Sequence, residues 1–113
     1  MNQTHLDKLC RQIAISANYL RYLLEQIELH IPSATVWAFG SRVAWSHHPA
    51  SDLDLAVHCD KETAKKTLPK LSGIFTESDM PFKVQLLDFD RLPENMQENI
   101  KKKYVVLYQP HEV

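Results

Sequence analysis

Asp52 and Asp54 stand one residue apart in the run Ser51-Asp52-Leu53-Asp54-Leu55-Ala56-Val57. Acid alternates with aliphatic at a period of two, so in a strand both carboxylates project from one face while Leu53 and Leu55 enter the core from the other. Two like charges held this close repel unless a cation lies between them. Hard oxygen donors of this kind suit Mg²⁺, with the oxygens of a triphosphate completing its shell. A bare Asp-x-Asp also arises when one Asp caps a turn and the other is simply solvated, so the pair carries weight only with a second feature. Gly40-Ser41 is that feature. It follows directly on the apolar run Thr35-Val36-Trp37-Ala38-Phe39, in a chain with only two glycines. Glycine lets backbone approach a phosphate closely and a hydroxyl can donate to it, although a lone Gly-Ser also ends many strands in ordinary turns. Ten residues, Arg42 to Ser51, separate the two features. The candidate metal-holding and catalytic residues are therefore Asp52 and Asp54, and the candidate nucleotide-binding residues are Gly40, Ser41 and Arg42. Arg42 suits a phosphate contact, with an ion pair to a surface acid as the second reading.

The elements that must position these residues follow from periodicity. Leu6, Leu9, Cys10, Ile13, Ala17, Leu20, Leu24 and Ile27 recur at three- and four-residue steps and predict one long amphipathic helix from about residue 5 to about residue 29. Thr4 with Asp7 resembles a capping box at its start, and Pro32 cannot continue it. Thr35 to Phe39 reads as a strand covered on both faces, and Asp52 to Val57 as a second. Asp60 is placed to cap a helix through about Met80, which Pro69 should kink or restart. Phe82 to Asp88 supplies a third strand, Leu92, Met96 and Ile100 mark a last helix with Pro93 in its first turn, and Tyr104 to Tyr108 is extended. This order describes a small α/β sheet with helices packed against it. No linker-like stretch divides the chain, which reads as one domain over residues 1–113 with its catalytic core at about 34–108.

Phe39-Gly40-Ser41-Arg42 followed by Ser51-Asp52-Leu53-Asp54-Leu55 resembles the signature of the minimal nucleotidyltransferases of the polymerase-beta-like superfamily. From about Thr35 to Tyr108 the order of segments is similar to that of the antitoxin-type members, which pair with HEPN-domain proteins. The resemblance implies an α+β nucleotidyltransferase fold with three or four strands and flanking helices. It implies an Mg²⁺-dependent transferase moving AMP from ATP to a hydroxyl, in the antitoxin branch a tyrosine of the HEPN partner. The family's third carboxylate corresponds to Gln85, within Val84-Gln85-Leu86. An amide carries no charge and cannot act as a base, so the resemblance leaves two readings: a working adenylyltransferase, or a weakened nucleotide-binding module that neutralises its partner by occlusion. Asp88, three positions on, is a poor substitute because it faces the other side of the strand unless a bulge intervenes, which leaves Asp90, just beyond the strand, as the better-placed replacement.

The remaining features narrow the class. Thirteen basic and 14 acidic residues give a formal charge of −1, so no global field draws the protein to nucleic acid, and direct nucleic-acid binding is not expected. No apolar run approaches the length of a membrane span, and two cysteines 49 positions apart build no disulfide framework; a cytoplasmic setting is expected. His47-His48 and His58-Cys59-Asp60 lack the spacing of a structural zinc site and read as solvated residues. Trp45 offers a surface for a base, but an ordinary core or surface aromatic is the simpler reading. Lys101 to Lys103 read as a solvated run that complements the dipole of a helix end.

Overall fold

The β-branched and aromatic runs pair as a four-stranded sheet. In the computed structural model, which describes residues 3–110, β1 (Thr35–Phe39), β2 (Leu53–His58), β3 (Val84–Asp88) and β4 (Val105–Tyr108) lie in the order β3-β2-β1-β4. β1 is antiparallel to β2 and to β4, while β2 and β3 are parallel and joined by the crossover helix α4 (Lys61–Thr76). The alternation decides the faces. Val36, Ala38, Leu53, Leu55, Val57 and Val84 bury one face of the sheet in the main core, against Leu20, Leu23, Leu24 and Ile27 of α2 (Ala17–His30) and Leu68, Leu71 and Phe75 of α4. The other face carries a smaller cluster in which Ala56 meets Phe89, of a 3₁₀ turn at Phe89–Arg91, and Ile100 of α5 (Glu94–Lys101), flanked by Trp37 and Phe39. Tyr108 Oη donates to the Pro32 carbonyl at 3.0 Å, tying the end of β4 to the turn that leads into β1.

The long first helix is a correction. The chain forms α1 (Gln3–Gln12) and α2, and residues 13–16 between them are not helical. The stripe passed over Ala14 and Ile15, yet Ile13, Ala14 and Ile15 are all buried. Successive helical residues point about 100° apart, so three in a row cannot share a buried face, and the chain leaves the helix to bury them all. Thr4 lies inside α1 and caps nothing; Asp7 accepts from Gln3 Nε2 at 2.9 Å instead.

The other departures are smaller. Asp60 caps α4 as expected, accepting from the Thr63 backbone and hydroxyl, but the helix ends at Thr76 rather than near Met80. Pro69 does not restart it, because Pro69 and Lys65 are exposed and the carbonyl that loses its donor lies on the watered side. Pro93 sits at the N-cap position of α5. A short helix absent from the sequence reading, α3 (Ser41–Ala44), follows Gly40 immediately.

Candidate active site

Gly40 and Asp54 meet at one end of the sheet. Phe39 pairs with Asp54 in the β1-β2 register, so the residue after Phe39 turns beside that carboxylate. Gly40 adopts φ +86°, ψ −160°, a conformation L side chains avoid, and a Cβ there would collide with Asp54 Oδ2. The glycine is thus required twice, for the turn into α3 and for the room the carboxylate occupies. The Gly40 carbonyl accepts from Val43 N and Ala44 N, fixing that turn.

Asp52 is exposed just before β2, whereas Asp54 is half-buried. Burial first, and then the charge of Asp52, push the Asp54 carboxyl above its ordinary value. A half-buried carboxylate that feels the charge of a neighbouring acid is the electrostatic setting that a hard divalent cation relieves. Among the described residues no group of three or more His, Cys, Asp or Glu is arranged to hold a metal ion, so any cation here would need further oxygens from a ligand.

Arg42 is placed differently from a residue that meets phosphate. Its side chain is 5% exposed. Nη1 donates to the Ala14 carbonyl at 2.8 Å, Nε to Ser51 at 3.0 Å and Nη2 to Pro49 at 3.1 Å, and the guanidinium stacks 4.0 Å from the Phe82 ring centroid. The Ala14 amide in turn donates to the Arg42 carbonyl at 2.9 Å. Arg42 consequently clamps both the break between α1 and α2 and the end of the loop that delivers Asp52. A tight turn completes that loop, with Ser51 N donating to the His48 carbonyl and His48 N to Ser51 Oγ, each at 2.9 Å.

Gln85 pairs with Asp54 across the parallel strands and so shares its face; it is exposed. The two acids considered as its replacement are engaged elsewhere. Asp88 pairs with Val57, on the opposite face, and accepts from Arg91 Nη1 at 2.8 Å. Asp90 lies 3.4 Å from His58 Nδ1, and His58 is four residues along β2 from Asp54. Trp45, half-exposed at φ +59°, lines a cavity of about 460 Å³ with Arg42, His47 and Phe82 rather than the space around Gly40. The Gly40-Ser41 side opens instead on a cleft of about 400 Å³, which Lys102, Lys103 and Asn99 also line. The sequence reading took Lys102 and Lys103 as part of a solvated run and did not single out Asn99. The signal was a basic run ending a helix just before the strand that pairs with β1.

Residues 23–112 match the family model of the polymerase beta nucleotidyltransferase domain. The chain belongs to the polymerase beta nucleotidyltransferase family. It is 38% identical over 96 residues to the probable protein adenylyltransferase MntA of Haemophilus influenzae, covering 85% of this chain and 84% of that protein. A solved structure, a toxin-antitoxin with AMP-PNP, shares the fold at a TM-score of 0.59 and 19% identity over 80% of this chain and 73% of its own. The protein is thus a nucleotidyltransferase of the minimal type, with the mixed sheet that its family implies.

Proposed function

We propose that the protein is an adenylyltransferase that moves AMP from ATP to a tyrosine hydroxyl of a HEPN-type partner, acting as the antitoxin of that pair. The observation that carries the reading is the contact of Gly40 with the half-buried Asp54, whose carboxyl is raised by burial and by Asp52. A half-buried carboxylate against a side-chain-free turn, with a second acid two residues before it, suits a metal-bound phosphate chain. The name of the Haemophilus influenzae relative supports a protein acceptor. The partner's class rests on the motif resemblance, because the solved neighbour speaks only to fold.

In this reading Asp52 and Asp54 hold Mg²⁺, which would neutralise charge on the α- and β-phosphates. Gly40 and Ser41 hold the phosphate chain, Gly40 by close backbone approach and Ser41 through its hydroxyl. Arg42 acts at one remove, fixing the loop that presents Asp52. The acceptor oxygen bonds to the α-phosphorus while the bond to the bridging oxygen breaks. Pyrophosphate departs with that electron pair, and the hydroxyl proton passes to water, since Gln85 cannot take it.

Gln85 beside Asp54 favours one alternative, occlusion of the partner by a nucleotide-loaded module without turnover. Incorporation of labelled AMP into the purified partner separates the two. Transfer by the wild type, lost in Asp54→Asn and retained in Gln85→Ala, is the expected pattern. An inactive wild type that gains transfer in Gln85→Asp would establish occlusion, with position 85 as the missing group.

A further inference from the structure

Gln85 does not stand alone on its face. Val84 is buried in the main core, so its neighbours Lys83 and Gln85 project to the opposite face, as Asp52 and Asp54 do around buried Leu53. The β2-β3 ladder runs on to both. Asp54 pairs with Gln85, Leu53 pairs with Val84, and Leu53 N donates to the Lys83 carbonyl at 2.9 Å. One further step along this register brings Asp52 opposite Lys83, on strands about 4.8 Å apart. Two acids, an amide and an ammonium thus share one corner of the sheet.

The backbone of this corner is anchored on both strands. Phe82, the residue before Lys83, lies 4.0 Å from the Arg42 guanidinium and meets the Tyr19 ring edge-on at 6.2 Å, while Arg42 Nε also binds the Ser51 carbonyl beside Asp52. Lys83 itself is exposed, and among the described residues its ammonium forms no ion pair with a carboxylate. A fixed positive charge therefore stands at the acid pair without being engaged by it.

We infer that the site takes one divalent cation per nucleotide and that Lys83 supplies the second positive charge, its ammonium contacting the triphosphate beside the acid pair. The inference rests on the proposed transfer reaction, which needs charge on the α-phosphate neutralised. A site with two metal ions sets them about 3.5–4 Å apart and needs carboxylates enough to hold both. Asp52 and Asp54 suffice for one. The place from which a third acid would help hold another carries the uncharged Gln85, and Lys83 next to it repels a further cation. An ammonium donates three hydrogen bonds and needs no anionic ligands of its own, so it serves where a second metal ion cannot be held. Lys83 and Gln85 together are then one adaptation of the site, and the missing carboxylate is compatible with turnover.

Equilibrium dialysis against Mn²⁺ and a non-hydrolysable ATP analogue, counting metal and nucleotide bound per chain, tests this on the wild type and on variants. The wild type should bind one Mn²⁺ per nucleotide. Lys83→Gln should lose about ten-fold in nucleotide affinity with its melting temperature unchanged, Lys83→Arg should retain most of that affinity, and Lys70→Gln, an exposed lysine of α4, should bind as the wild type does. A Lys83→Ala/Gln85→Asp double variant should bind two Mn²⁺ per nucleotide. Two Mn²⁺ per nucleotide in the wild type would overturn the inference and leave the transfer reading standing. So would undiminished affinity in Lys83→Gln, an equal loss in Lys70→Gln, or a double variant that still binds one Mn²⁺. A wild type that binds no nucleotide overturns both.

Discussion

Gly40 and Asp54 occupy one another's space, and each constrains what the other can be. Gly40→Ala adds a methyl where Asp54 Oδ2 lies, at a φ of +86° that alanine resists. It is expected to destabilise the protein by about 1–3 kcal/mol in urea unfolding and to abolish measurable Mg²⁺-ATP binding. Asp54→Asn should behave in the opposite sense in the free protein. A carboxyl raised in the folded state contributes stability that is fully present below its unfolded value and is lost as pH rises through the folded one. At neutral pH the wild type therefore carries an unfavourable charge. Asp54→Asn should melt higher than the wild type at pH 7, the gap closing as pH falls to about 4, the ordinary carboxylate range. Melting curves across that window check it; a lower melting temperature for Asp54→Asn at pH 7 would show that the carboxylate is satisfied without a cation. These two residues were legible in the sequence because their relation is local, a period of two on one strand and a glycine at the end of its neighbour. The role of Arg42 was not, since its deepest partner, Ala14, lies 28 residues away.

At the scale of elements, Arg42 joins three pieces of chain that no periodicity connects. Removing its guanidinium strands the carbonyls of Ala14, Pro49 and Ser51, the first of them in a buried bond. Arg42→Met should cost about 3 kcal/mol in urea unfolding, and Lys should rescue it poorly because one ammonium cannot reproduce a planar fork. Full stability in Arg42→Met, with loss of ATP affinity alone, would return Arg42 to a phosphate contact. The break between α1 and α2 belongs to the same set. A helical stripe was legible on either side of it, but the decision to leave the helix came from Ile13, Ala14 and Ile15 all being buried, which a one-face pattern cannot express. Pro69 in α4 is a milder conflict between local preference and the fold. Its exposed position lets Pro69→Ala restore the missing hydrogen bond without repacking, and a gain of about 1 kcal/mol or more is expected from thermal unfolding.

For the molecule as a whole, the strand order was what the sequence withheld. The segments could be placed in order from composition, yet nothing local said that β4 would pair with β1 and so bring Lys102 and Lys103 to the Gly40 turn. That pairing gives the Gly40 turn a neighbour on each side, Asp54 on β2 and the start of β4 on the other. The second hydrophobic cluster reaches the site end through Phe39, which packs against it just before the Gly40 turn, and the proposed acceptor is a hydroxyl presented by another protein. The intact mass of the HEPN-type partner, co-expressed with the wild type or with Asp54→Asn, tests that claim most directly. The account expects the partner to gain one or more AMP groups with the wild type and none with Asp54→Asn. A partner bound tightly by the wild type and recovered unmodified would contradict it.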